Sequence, residues 1–234
     1  MKSLVWERVT PHVMRCRLPF CDVTVGVVHN DGEALVVDTG TTLAEARAVA
    51  NDVAALTGST VRHVVLTHNH FDHVLGHSVF AGARTYCAAD VVRTMTDDKT
   101  LLRADAVDHG ADASEVDAAL AVLSAPPLAV TEAVVGLGDD VVVTVSHPGR
   151  GHTGHDLIAV VSDGDRTAVF CGDLVEESAD PCIDEHSDVA AWPATLARIL
   201  TAGGESAVFI PGHGAIVDPA FVRRQADWLA RQLP

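Results

Sequence analysis

No window of the 234-residue sequence approaches the ~20 uninterrupted apolar residues that a membrane-spanning helix requires, and the opening stretch Met1–Arg8 lacks the apolar run of a signal peptide. Both absences lead to the expectation of a cytoplasmic protein without a membrane partner. Positive charge is scarce: 16 Lys and Arg stand against 32 Asp and Glu, for a formal charge of -16. Such a surface repels polyanions and gains no counterion release, so nucleic acid is not expected as a partner. The five cysteines (Cys16, Cys21, Cys87, Cys171 and Cys182) are odd in number and form no C-x-x-C pair, which argues against a disulfide framework or a cysteine zinc cage. They read as mostly buried thiols. Repeats, low-complexity tracts and linkers are also missing. What remains, 48% apolar and 21% charged residues, suits a single globular domain over 1–234 with one substantial core.

Apolar periodicity then divides the chain. Valine-rich runs near 12–17, 23–29 and 33–38 read as strands, the last two joined across Asn30-Asp31-Gly32 as a hairpin. Residues 42–57 place Leu43, Ala46, Val49, Ala50, Val53 and Leu56 at helical spacing, with Thr42 and Glu45 as a capping box and Gly58 as the stop. Val61–Leu66 reads as a short buried strand. A helical insertion at about 88–125 follows, with Ala89, Val92, Met95, Leu101, Leu102, Val116, Leu120 and Leu123 as its expected buried positions; it could cover a site, form a homodimer surface or simply pack. Strands are expected at about 141–147, 157–161 and 167–171, the last two joined through Asp163-Gly164-Asp165. A helix from Pro193 to about Thr201, a strand at Ala207–Ile210 and a helix at 219–232 complete the chain.

The chemistry concentrates after four of these strands. The segment His68-Asn69-His70-Phe71-Asp72-His73 follows Leu66 directly, and the frequencies of His and Asp give H-x-H-x-D-H an expectation of about 0.004 per chain. Imidazole and carboxylate are ligands that divalent zinc accepts, and a set without cysteine suits a catalytic centre that keeps a place for water. Three later segments repeat the logic: Gly149-Arg150-Gly151-His152-Thr153-Gly154-His155-Asp156, then Gly172-Asp173, then Pro211-Gly212-His213-Gly214. An isolated His or Asp after a strand is more often a cap or turn residue; four such segments in this order are not.

That order of motifs resembles the metallo-β-lactamase fold superfamily over most of the chain, and Asp38-Thr39-Gly40 resembles its early Asp-x-Gly element. The resemblance implies an α/β fold, a four-layer αβ/βα sandwich of two mixed β-sheets flanked by helices. It implies that His68, His70 and His152 hold one metal, that Asp72, His73 and His213 hold another, that Asp173 bridges them, and that Asp38 supports the metal loop from behind. The implied cofactors are two divalent ions, zinc ahead of iron or manganese.

In zinc enzymes, bound water acidifies from 15.7 to roughly 7, which yields hydroxide at neutral pH. The expected function is hydrolysis of a small-molecule ester, thioester, lactone or amide by a hydroxide held between two zinc ions, with Asp72 or Asp173 moving the proton to the leaving group. Asp173 stands where one large group of β-lactamases carries cysteine, which disfavours antibiotic hydrolysis as the main activity. Only 21 residues follow His213, too few for the glutathione-gripping domain of glyoxalase II enzymes. The sole tyrosine, Tyr86, is the residue to place relative to the site, because lactonases of similar length remain an option. The alternatives are a mononuclear iron persulfide dioxygenase and a metal-stabilised binding module without turnover.

Overall fold

The computed structural model describes residues 4–232, so Met1–Ser3, the start of the stretch read above as lacking a leader, lie outside the described residues, as do 233 and 234. Two mixed sheets form the frame. The first has six strands in chain order, β1 Trp6–Arg8, β2 Val13–Arg17, β3 Thr24–Asn30, β4 Glu33–Val37, β5 Thr60–Val65 and β6 Arg84–Tyr86. Its first four strands run antiparallel, and β4, β5 and β6 are parallel. The second contains β7 Glu132–Leu137, β8 Val141–Ser146, β9 Ile158–Asp163, β10 Arg166–Glu176 and β11 Val208–His213 in the order β11-β10-β9-β8-β7. Only its β10–β11 pair is parallel.

Strand alternation explains the layering, because successive side chains point to opposite faces of a sheet. Val28, Leu35, Val37 and Val65 point inward and meet Val143, Val161, Phe170 and Ile210 of the facing sheet. Their neighbours Val27, Val36 and Val64 point outward into a second core shared with the helices. On the far side, Ile158, Val169 and Cys171 pack against Trp192, Leu196, Ile199, Val222 and Leu229. Strands covered on both faces read as near-continuous apolar runs. Three cores separate four layers, and the αβ/βα sandwich stands as expected.

Local chemistry sets the connections. Asp31 (φ 47°) and Gly32 (φ 78°) make the β3–β4 turn with two positive φ angles, the arrangement whose twist suits a tight hairpin. Helix α1, Leu43–Thr57, begins at the expected capping box: Thr42 accepts from Glu45 N, and Glu45 accepts from Thr42 N. After β5 comes the short α2, Phe71–Val74. The segment expected as a helical insertion forms α3 Ala89–Asp97, α4 Lys99–Asp108 and α5 Ala113–Val122. Val91, Met95, Leu102, Ala106, Val116 and Ala119 bury in the first outer core. Ala89 and Leu101, expected inside, are exposed, and Val92 and Leu120 are half-buried; Val91 takes an inward place one turn before Met95, which is buried as expected. The closing helices are α6 Trp192–Gly203, with Pro193 in its first turn, and α7 Pro219–Ala230. No helix among the described residues is long and apolar enough to cross a membrane.

Three cysteines are buried, whereas Cys21 is half-buried and Cys182 exposed; all five are free thiols.

Candidate metal centre

The ends of β4, β5, β8, β10 and β11 meet at one edge of the sandwich. There Asp38 adopts φ 61°, a left-handed conformation that Asp tolerates better than most residues, and turns its carboxylate under the following loop. Its Oδ1 accepts from Thr67 N (2.8 Å) and its Oδ2 from Thr67 Oγ1 (2.8 Å). The same Oδ2 lies 2.9 Å from His73 Nδ1. Thr39 donates from both N and Oγ1 to the His73 carbonyl, each at 2.9 Å. Thr67 Oγ1 has its proton on Asp38, so it accepts from His68 Nδ1 at 3.0 Å. Asp38 therefore orients two imidazoles, and in each the Nε2 is left facing inward.

The remaining donors arrive from the second sheet. His152 lies in the β8–β9 loop, where Thr153 N donates to Asp156 Oδ2 (2.7 Å) and Trp192 packs beside the His152 ring. Asp156 thus serves the turn next to His152. Asp173 sits inside β10, which runs five residues beyond the expected end at Cys171 and shifts register against β11 after Phe170. The carboxylate fits because residue 212 is glycine: a Cβ there would collide with Asp173 Oδ1. His213 closes β11, and its Nδ1 donates to the Cys21 carbonyl at 2.8 Å.

All seven expected side chains converge in two groups. Donor atoms of His68, His70, His152 and Asp173 lie within 4.8 Å of one another, as do those of Asp72, His73 and His213. Asp173 stands between the groups. Its Oδ2 is 3.6 Å from His68 Nε2, 3.5 Å from His152 Nε2 and 3.4 Å from His213 Nε2, while its Oδ1 is 3.3 Å from His73 Nε2. Asp72 Oδ2 is 3.4 Å from His213 Nε2 and 3.6 Å from His73 Nε2.

These residues fit divalent cations. His68 Nε2, His73 Nε2 and Asp173 Oδ1 are buried without a hydrogen-bond partner, a costly condition for polar atoms unless something electrophilic lies between them. Tetrahedral zinc ligands at about 2.0–2.1 Å stand about 3.3–3.4 Å from each other, close to the spacings above. The protonation preferences agree. Burial, reinforced by His73, drives His68 well below the ordinary histidine value, and burial brings His152 down to about 4, so both are neutral donors at pH 7. Burial also opposes protonation of His213, but Asp173 and Asp72 outweigh it and raise that imidazole to about 10. For Asp173, burial is overcome by His213, His73 and His68, which hold the carboxyl well below its usual range. The two carboxylates that flank His213, Asp72 and Asp173, supply the negative charge that a cation would neutralise.

Sequence reasoning missed Thr67, Asp184 and the carbonyls of Cys21 and Cys182, which face the outward nitrogens of the imidazoles. Thr67 had a signal, adjacency to His68; a carbonyl on a distant turn has none. Tyr86 is not at the centre: it lies in the inter-sheet core with its hydroxyl 3.2 Å from His63 Nδ1. The α3–α5 segment reaches the metal loop from outside, where the His109 ring lies 5.4 Å from Phe71.

The sequence pattern described as Metallo-beta-lactamase superfamily matches residues 18–213. Among solved structures, DIM-1 metallo-beta-lactamase superposes with a TM-score of 0.76 at 18% identity, covering 99% of each chain. DIM-1 metallo-beta-lactamase exposed to ceftazidime gives 0.74 at 19% identity, over 99% of this chain and 98% of the other.

Proposed function

Because the chain belongs to the metallo-beta-lactamase superfamily, we propose that it is a metal-dependent hydrolase whose two divalent cations, zinc by preference, are held by the seven converging side chains. The observation that carries this reading is Asp173, set between the two donor groups with its Oδ2 within 3.6 Å of imidazoles of both and its Oδ1 facing His73. His68, His70 and His152 would hold one cation, Asp72, His73 and His213 the other, and Asp173 both. Cations there supply Lewis acidity toward a carbonyl and acidify water near neutral pH.

The chain's own residues do the rest. Asp38 and Thr67 keep the protons of His73 and His68 on Nδ1, so that Nε2 can donate. Asp72 meets two imidazoles where Asp173 meets four, and we assign to Asp72 the transfer of a proton to the leaving group. The substrate class is a small ester, thioester, lactone or amide; the -16 charge favours no polyanion.

The test is metal quantification followed by a panel of esters, thioesters, lactones, β-lactams and persulfides. Two zinc per chain with ester-type cleavage is expected, reversibly lost on chelation. Full turnover after metal removal, or one iron with oxygen consumption on a persulfide, would overturn the reading. Replacing His152 with Ala should abolish turnover by orders of magnitude while circular dichroism stays that of a folded sandwich.

A further inference from the structure

Five imidazoles point into the centre, and each has a second ring nitrogen turned outward. His68 directs it to Thr67 Oγ1, His73 to Asp38, His213 to the Cys21 carbonyl and His152 to the Cys182 carbonyl at 3.4 Å. His70 is oriented the other way round. Its inward atom is Nδ1, 3.1 Å from His152 Nε2, and its outward Nε2 faces Asp184 Oδ2 at 4.0 Å. Asp184 is itself anchored: its Oδ1 accepts from His186 N at 2.7 Å, and Asp184 N donates to Ser187 Oγ, which in turn donates to the His152 carbonyl at 2.9 Å. One loop, residues 177–191 between β10 and α6, therefore supplies the outward partners of His70 and His152. The outward partners of His68, His73 and His213 come from other elements.

The geometry points to Asp184 as the positioning residue of His70, and to its loop as the element that governs filling of the His68–His70–His152 position separately from the Asp72–His73–His213 position. This rests on the metal-centre reading above. At 4.0 Å the carboxylate acts through its charge, favouring the proton on Nε2 and so the lone pair on Nδ1; a direct hydrogen bond needs an approach of about 1 Å. Outer partners of this kind change metal affinity by 10–100-fold.

The experiment uses the full chain, stripped of metal and titrated with Zn2+ against a chromophoric chelator, alongside long-range 15N spectra of the metal-free protein. Asp184→Asn keeps the Oδ1 acceptor that holds the turn and removes only the charge. The expected result is a 10–100-fold weaker affinity for one equivalent of zinc, an unchanged second equivalent, and a His70 signal that loses its Nε2–H preference. Asp184→Glu, which keeps the charge, should recover much of the affinity. An unchanged titration and spectrum, or equal weakening of both equivalents, would overturn the role of Asp184. A wild-type protein that takes up no cation would instead sink the metal-centre reading, a result distinct from either.

Discussion

Asp38 carries more of the site than its single charge suggests. It accepts from Thr67 N and Thr67 Oγ1 and faces His73 Nδ1, at 2 % exposure. Removing it leaves three buried polar groups of the metal loop without their acceptor, each worth roughly 1–3 kcal/mol when unpaired. Asp38→Ala should therefore lower stability by about 3–5 kcal/mol in urea and weaken cation binding, because His68 and His73 lose their fixed tautomers. A variant with wild-type stability and zinc affinity would remove Asp38 from this role. Four of the converging donors, His68, His70, Asp72 and His73, were legible in the sequence because histidine and aspartate at H-x-H-x-D-H spacing are rare together by composition, and the other three from their place after apolar strands. The outward partners were not: the Cys21 and Cys182 carbonyls act through the backbone, and Asp184 is one carboxylate among several in its loop.

Elements were legible where turn or cap chemistry marked them. The β3–β4 and β9–β10 hairpins and the capped α1 follow from their turn residues, whereas β1 and β6 have three residues each and β7 leaves Val134 exposed on a sheet edge, so no apolar pattern announces them. Asp163 at the end of β9 shows how an element can be tied by a group that reads only as a turn residue. It accepts from Thr10 Oγ1 and from His12 N and Nδ1, joining the second sheet to the β1–β2 connection of the first. Burial would raise its pKa, but those donors outweigh burial and hold it below the ordinary carboxylate value. A depressed folded value means stability that is complete above the unfolded pKa of ~3.9 and lost as pH falls through the folded value. Asp163→Asn should cost about 1–3 kcal/mol at pH 7, and its gap from wild type should shrink as pH drops from about 5 toward 3. Urea midpoints across that range decide it: a gap that stays constant would show that the charge contributes nothing.

At the scale of the molecule, the centre exists because two sheets dock. His68, His70, Asp72 and His73 follow a strand of the first sheet; His152, Asp173 and His213 come from the second. Docking depends on the inner core, where Phe170, 2 % exposed, lies closely across Gly26 of the opposing β3. A side chain at position 26 would overlap the Phe170 ring, so the pair is complementary in volume. Phe170→Ala should destabilise by about 3–5 kcal/mol through lost burial and a cavity between the sheets, and Gly26→Ala by about 1–3 kcal/mol through overpacking. Combining Gly26→Ala with Phe170→Leu should recover part of the overpacking cost, because the smaller side chain vacates the space the new methyl needs. The measurement belongs in chelator, since bound cations would add their own stabilisation to the folded state and mask the packing term. Strict additivity of the two substitutions would show that the sheets are not held in register by this contact.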